Sequence, residues 1–400
     1  MRLLNITLFI LFLCSFYAES TEHFVKNSAI NARVQIKDIN QVLSAQNVGT
    51  LVVTTNRYSK DIQSICTGIL IADEYLMTAA HCVVDHMTGE GALNVEFFPQ
   101  YLGQGKQIRS RVFVENGWVH KQYLATDYKN ILQFKNGLVS LNRKPYASDL
   151  AILKVTSSQT GYGLGKQFGY VAPIAAEEVL TTKKPNVSLL SYPADKDGNT
   201  LWYQQCHLTG HKSLIGSFDC QVYSGSSGAG LLIKAPNSDK DRVLGIVSSS
   251  SDNGLSGGAV LFSTEIIQDI QNIIKNRTES LRNFSAVSFK TKPRTYVHIE
   301  NLCKKEIIAM VYSEENNEAQ AIVSESKIPV NTSMMFNNIQ SRTWYSHIRD
   351  LEGKPYNLGR DIFLDIENKS YSFKKNVIPY RNIGNGSIFY GDYFLKVYCI

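Results

Sequence analysis

Beyond its first residues the chain has no apolar run close to the ~20 residues that a membrane-spanning helix needs. It has no dense basic block either: 41 Lys and Arg stand against 35 Asp and Glu, a net charge of +6 over 400 residues. So mild an excess gives no electrostatic footprint for nucleic acid, and no nucleic-acid partner is expected. There is no internal repeat and no low-complexity tract. With 27 Gly, 10 Pro and 10% aromatics, collagen-like and disordered chains are excluded. His23, His86, His120, His207, His211, His298 and His347 lack partners at metal-ligand spacing and read as surface or structural residues. No metal and no cofactor are expected. What remains is a globular chain long enough for two or three domains.

The N-terminus reads as an address. Arg2 is followed by an apolar run from Leu3 to Cys14 and then by Ser15-Phe16-Tyr17-Ala18. A positive start, a short apolar stretch and a small residue make a secretory signal over residues 1–18, with cleavage expected near Ala18 or after Ser15. The bulky Leu13 before Cys14 argues against lipoprotein processing. The expectation is a secreted protein, extracellular or periplasmic, with no membrane span in its mature form. Cleavage removes Cys14 and leaves Cys66, Cys82, Cys206, Cys220, Cys303 and Cys399. An even count in an exported chain reads as disulfides, and order alone leaves every connectivity open.

The body of the chain is a series of short apolar or alternating runs separated by turn residues. They include Thr50–Thr54, Thr67–Ala72, Tyr75–Ala79, Val95–Phe98, Arg111–Val114 and Leu150–Val155. The texture continues through Val187–Tyr192, Leu201–Cys206, Ser217–Tyr223, Gly230–Lys234, Val243–Ser248 and Gly258–Phe262. Such runs predict an all-β barrel or sandwich. From Ser263 to Lys275 the period changes: Ile266, Ile267, Ile270, Ile273 and Ile274 predict a helix with Ser263 as its N-cap. The polar stretch 279–294 reads as a linker, and 295–400 as a separate small β-rich domain.

Three stretches carry chemistry. They are Cys66-Thr-Gly-Ile-Leu-Ile-Ala leading to His81-Cys82, Ala147-Ser-Asp149-Leu-Ala-Ile-Leu, and Tyr223-Ser-Gly225-Ser-Ser227-Gly228-Ala-Gly230. A hydroxyl nucleophile needs a base to take its proton, and the base needs a carboxylate to fix its tautomer. Glycines around a serine let its oxygen project and leave backbone N–H groups facing a developing oxyanion. His81, Asp149 and Ser227 supply these residue types in the order His, Asp, Ser.

Here the sequence resembles a known family. Thr78-Ala-Ala-His-Cys82, Asp149-Leu-Ala-Ile-Leu153 and Gly225-Ser-Ser-Gly-Ala229 are similar to the His, Asp and Ser motifs of trypsin-like serine proteases. Asn31-Ala-Arg33-Val-Gln-Ile, Phe113-Val-Glu-Asn-Gly-Trp118, Tyr192-Pro-Ala-Asp-Lys196 and Leu201-Trp-Tyr203 resemble landmarks of the bacterial V8-like, glutamyl endopeptidase branch. The resemblance covers about residues 30–275. It implies a protease domain at 30–278, built as a chymotrypsin-like pair of β-barrels with a C-terminal helix, that hydrolyses proteins or peptides. It casts His81 as general base, Asp149 as its orienting group and Ser227 as nucleophile. The oxyanion would be bound by the backbone N–H groups of Gly225 and Ser227, and Ser248 would support the aspartate.

Two departures bear on that reading. Trypsin has an aspartate before the nucleophile that pairs with the new N-terminus; here Ser226 takes the place, so that switch is unavailable. A short pro-segment at 19–29 is expected, ending near Ile30. Glutamyl endopeptidases hold the acidic substrate side chain with a histidine where this chain has Val247, which cannot hydrogen-bond a carboxylate. The expected pocket, formed by Gln221, Val247, Ser248, Ser249, Ser250 and Gly258, is neutral, so cleavage should not be strictly Glu-specific. The resemblance also pairs Cys66 with Cys82 and Cys206 with Cys220; the remaining two, Cys303 and Cys399, would tie the ends of the last block. In that block Tyr296, Phe336, Trp344, Tyr345, Tyr371, Phe373, Tyr380, Phe389, Tyr390, Tyr393 and Phe394 form a candidate face for a protein or glycan, or else its core. The alternative function is a weak or inactive protease scaffold that binds or adheres through that domain.

Overall fold

The structure, a computed structural model, describes residues 32–399 apart from 58–59, 86–87, 104–110, 126–131, 136–137, 142–145, 156–162, 181–183, 292–294, 314–323, 340–342, 357–361, 367–368, 378–380, 384–385 and 389–390. The expected signal peptide and pro-segment lie outside the described residues. The chain divides into two compact units, with the described residues up to Thr291 in the first and those after it in the second.

The first unit contains β1 (Val34–Gln35), β2 (Val48–Arg57), β3 (Lys60–Ala72), β4 (Tyr75–Thr78), β5 (Asn94–Pro99), β6 (Val112–Phe113) and β7 (Asn116–His120). It continues with β8 (Leu132–Lys135), β9 (Leu138–Leu141), β10 (Ala151–Lys154), β11 (Asn186–Ser191), β12 (Trp202–Lys212) and β13 (Ile215–Phe218). β14 (Gly230–Lys234), β15 (Asp241–Ser250), β16 (Gly257–Leu261) and β17 (Phe284–Ser288) complete it. One sheet has the order β17-β7-β10-β4-β3-β2-β5-β6. The other runs β1-β12-β11-β14-β15-β16-β13, and a further β12–β13 pairing closes six of its strands into a barrel. The first sheet is a half-barrel, open among the described residues. Central strands are apolar on both faces, as in Ala151, Ile152 and Leu153 of β10, all fully buried between β4 and β7.

The helix forms at Thr264–Ile274, capped as expected by the Ser263 hydroxyl, which accepts from the Ile266 N–H at 3.3 Å. Its apolar stripe, Ile266, Ile270 and Ile273, is buried in the core cluster that also contains Phe284 and much of the first sheet. Two expectations are corrected. Residues 279–294 do not form a free linker, because β17 pairs with β7 from Phe284↔His120 to Ser288↔Asn116. The buried Asp269 carboxylate fixes its approach by accepting from the N–H groups of Arg282 and Asn283 at 2.6–3.2 Å. The run Ser217–Tyr223 is a strand only to Phe218, since the chain then leaves the sheet for the tight turns at Gly225 and Gly228.

The second unit is entirely β among the described residues. It comprises β18 (Thr295–Asn301), β19 (Ile307–Ser313), β20 (Ser324–Ile328), β21 (Ser333–Ile339) and β22 (Thr343–Asp350), followed by β23 (Ile362–Ile366), β24 (Lys369–Val377), β25 (Arg381–Ile383), β26 (Gly386–Ile388) and β27 (Gly391–Val397). The sheets run β21-β18-β27 and β20-β19-β22-β24-β23, with a small β25-β26 pair. β18 and β27 pair in parallel, and the Cys303–Cys399 bridge lies just beyond them. Phe336, Trp344, Tyr345 and Phe373, expected as part of a candidate binding face, are buried in this unit's own cores. Tyr380, Phe389 and Tyr390 lie outside the described residues.

Candidate active site

Strand register brings the first two candidates together. Ala151 of β10 pairs with Thr78 of β4. Asp149 lies two residues before Ala151, and His81 lies three residues after Thr78 on the short helix Ala80–Val83. The adjoining ends therefore meet. The His81 ring Nδ1 lies 2.7 Å from Asp149 Oδ2, and the His81 main-chain N–H donates to Asp149 Oδ1 at 2.9 Å. Ser248, on β15, donates its hydroxyl to Asp149 Oδ2 at 2.5 Å. The carboxylate thus accepts three hydrogen bonds from a nearly dry position, with its side chain 6% exposed against 27% for His81.

These contacts set the protonation states. Burial works against a charged His81, but the Asp149 charge and hydrogen bond outweigh it and raise the imidazole above its ordinary 6.5. Burial likewise pushes Asp149 up. The His81 charge and the bonds from His81 and Ser248 outweigh that effect and hold the carboxyl below 3.8.

Ser227 stands on the turn between Val222 and β14, three residues before Gly230, which pairs with Ile246 of β15. The same hairpin thus carries Ser227 and, two residues past Ile246, Ser248. Gly225 and Gly228 both have φ of +86°, where a side chain is strained. Space excludes one as well: a Cβ at Gly225 would lie 2.2 Å from the Tyr192 carbonyl oxygen, and one at Gly228 would lie 2.1 Å from Thr78 Oγ1.

The turn is fastened to the first sheet by Thr67, which is fully buried on β3 next to Cys66. Its hydroxyl accepts from the Tyr192 N–H at 3.1 Å and donates to the Gly225 carbonyl at 2.8 Å. Its main-chain N–H donates to the Ser227 carbonyl at 2.8 Å. That carbonyl also lies 3.9 Å from the sulfur of Cys82, the neighbour of His81. The Cys66–Cys82 bridge ties the His81 helix to the same strand. Among the described residues, the Ser227 hydroxyl and the N–H groups of Gly225 and Ser227 have no protein partner. Ser226, in the place of trypsin's aspartate, is buried and bonds to the Ser191 hydroxyl at 3.1 Å.

Apart from Gln221, which follows the end of β13, the expected pocket residues lie on the adjacent strands β15 and β16. Val247 pairs with Ala259, Ser249 with Gly258 and Ser250 with Gly257. Val247 is fully buried in the second barrel's core. A Cβ at Gly258 would lie 2.5 Å from the Ser249 hydroxyl. The Gln221 N–H donates to the buried Gln204 side chain at 3.1 Å. One group among the described residues has metal-ligand spacing, Cys66, His81 and Cys82, but its two sulfurs are joined in the disulfide. Cys206–Cys220 and Cys303–Cys399 are bridged as expected. Sequence reasoning missed Thr67 as a site residue, because a threonine in a strand is indistinguishable from an ordinary β-former.

A family model of the trypsin-like peptidase domain matches residues 66–264. Among solved structures, a Glu endopeptidase in complex with MPD is 16% identical, covers 63% of this chain and 100% of its own, and superposes with a TM-score of 0.46. The protease Anisep from Arthrobacter nicotinovorans is 16% identical over 60% of this chain and 98% of its own, with a TM-score of 0.45. A thermostable serine protease AL20 from an extremophile is 17% identical over 60% and 98%, with a TM-score of 0.43. No curated protein matches the sequence. With the strand order and the match over 66–264, the first unit contains a trypsin-like peptidase domain, and a β-rich region follows it.

Proposed function

We propose that this protein is a secreted serine endopeptidase working through Ser227, His81 and Asp149. The observation that carries the reading is the His81–Asp149–Ser248 network beside a glycine-bracketed serine whose hydroxyl and own N–H, like the N–H of Gly225, are uncommitted among the described residues. In the proposed cycle Asp149 holds the His81 proton on Nδ1, leaving Nε2 to accept. Ser227 Oγ attacks the scissile carbonyl carbon as its proton passes to Nε2. The carbonyl oxygen becomes an oxyanion and accepts from the N–H groups of Gly225 and Ser227. Collapse breaks the C–N bond, and the amine leaves with the proton from His81. Water then repeats the sequence on the acyl-enzyme and releases the acid. Substrate binding brings the serine and imidazole into line, since such contacts are often loose in the unliganded enzyme.

Secretion is supported by three disulfides, which persist in oxidising compartments, and by the signal-like first 18 residues. Val247 at the histidine position, committed to the core, supports a neutral rather than a strictly Glu-directed pocket. The test is labelling of the secreted protein with a fluorophosphonate beside a Ser227→Ala control, with cleavage profiled on a peptide library. Labelling of wild type alone is expected. Folded wild type that does not label overturns the peptidase reading, and a dominant preference for Glu overturns the pocket reading.

A further inference from the structure

The N–H of Gly225, proposed above as an oxyanion donor, belongs to the planar peptide group that also contains the Ser224 carbonyl. In a trans peptide the C=O and N–H point in opposite directions, so whatever holds the carbonyl aims the N–H. The Ser224 carbonyl is held by the N–H of Ala194 at 2.7 Å. Ala194 lies in the loop after β11, and the next residue, Asp195, receives both arms of the Arg33 guanidinium at 2.7 and 2.8 Å. Arg33 comes from the segment leading into β1, 162 residues away along the chain.

The same guanidinium sits over the Tyr223 ring, 4.9 Å from its centroid. Tyr223 is the residue before Ser224, and its carbonyl accepts from the Ser226 N–H at 3.0 Å. The ring is also close-packed on Gly254, where a Cβ would lie 2.6 Å from it. One side chain thus grips the loop that holds the peptide and the residue that precedes it. The ion pair is partly shielded, with the Arg33 side chain 12% exposed and Asp195 27%. A planar, two-pronged group can make both contacts at once, which an ammonium cannot.

We infer that Arg33 is a positioning residue for the oxyanion site, holding the Ser224–Gly225 peptide through Asp195 and Tyr223 so that the Gly225 N–H faces the reacting carbonyl. The inference rests on the proposed serine-peptidase reading. Its cation is a side chain and not a terminal amine, so the grip needs no newly cut N-terminus to supply its charge. Where trypsin uses a new terminal amine beside the nucleophile, this chain has Ser226 hydrogen-bonded to Ser191.

The experiment compares wild type, Arg33→Ala, Arg33→Lys, Asp195→Asn and the Arg33→Ala/Asp195→Asn double variant, each as the full secreted protein, on a peptide substrate. Losing a whole oxyanion donor typically costs about 10²–10³ in rate, and loosening one should cost less. Arg33→Ala is expected to lower kcat about tenfold, with KM and the acid inflection of the pH profile unchanged. Affinity for a peptide aldehyde, whose bound hemiacetal oxygen uses the same donors, should fall by the same factor. Arg33→Lys should fall in between, and the double variant should be no worse than Arg33→Ala. Wild-type kcat in Arg33→Ala and Asp195→Asn overturns the inference, as does a loss confined to KM with aldehyde affinity retained. If Arg33→Ala does not fold, Arg33→Lys and Asp195→Asn decide on the same readouts. Wild type that fails to label with fluorophosphonate removes the underlying reading. Labelled wild type with unaffected variants removes only this one.

Discussion

Replacing Asp149 by Asn should leave the fold intact and nearly abolish hydrolysis. The carboxylate accepts from three donors, at 2.7 Å from His81 Nδ1, 2.9 Å from the His81 main chain and 2.5 Å from Ser248. An amide offers one acceptor oxygen and one donor nitrogen. With its nitrogen at Oδ1, it would oppose the His81 N–H, which cannot change role. With its nitrogen at Oδ2, it would face two groups that can: the Ser248 hydroxyl can turn to accept, and the imidazole can move its proton to Nε2. Avoiding one unsatisfied buried donor is worth about 1–3 kcal/mol, a preference of roughly 5- to 150-fold for the second arrangement. Most molecules would then carry a protonated Nε2, unable to take the Ser227 proton, and no negative charge would support an imidazolium. A fall in kcat of about 10⁴ is expected, near 5 kcal/mol of transition-state stabilisation. The assay is steady-state hydrolysis of a chromogenic peptide, with ¹⁵N NMR of the imidazole to locate the proton. A variant that retains kcat within tenfold of wild type refutes the tautomer argument.

Other outcomes follow from the same geometry. kcat/KM should fall with decreasing pH at an inflection above 6.5, because His81 must be neutral and its partner raises its pKa; an inflection at or below 6.5 in the free enzyme contradicts this. The stabilisation that His81 draws from the pair is complete below its unfolded value and is lost as pH rises through its raised folded value, whereas that of Asp149 is present above 3.8 and is lost as pH falls through its depressed one. Thermal melting against pH should therefore show the pair's contribution between those limits, in wild type and not in Asp149→Asn. Thr67→Val, which leaves the Tyr192 N–H and the Gly225 carbonyl without that hydroxyl, should lower Tm by about 5 °C, while Thr67→Ser should restore it; an unchanged Tm in Thr67→Val would show that the hydroxyl pins nothing. Replacing Cys303 and Cys399 together by Ser removes a crosslink separated by 96 residues, worth up to about 4.7 kcal/mol on a chain-entropy account, and should make the second unit protease-sensitive while fluorophosphonate labelling persists.

The candidate site was legible where chemistry demands a residue type at a fixed place in a pattern. His81, Asp149 and the glycines around Ser227 each stand in a short stretch with its own physical reason, and the register of β4 with β10 brings the first two together. The supporting contacts were not legible, because they join residues far apart in the chain through groups with no distinctive pattern. Arg33 meets Asp195 across 162 residues, and Thr67 acts through a hydroxyl that any strand threonine possesses. β17 escaped notice for a different reason. It is an edge strand whose buried apolar anchors are only Phe284 and, just past its end, Phe289; the four residues between them, Ser285, Ala286, Val287 and Ser288, are small, and the stretch around the strand is polar like a linker.

The parallel pairing of β18 with β27 governs how the second unit comes to exist in time. The two strands flank nearly everything else in that unit, so its three-stranded sheet is incomplete until Gly391–Val397 has been made. Contacts between such distant residues must overcome loop-closure entropy before they return any stability, so this unit should fold late and slowly. The peptidase unit has no such dependence, since the described residues that build it end at Thr291. On a chain emerging from its N-terminus, it can fold before the second unit has both of its defining strands.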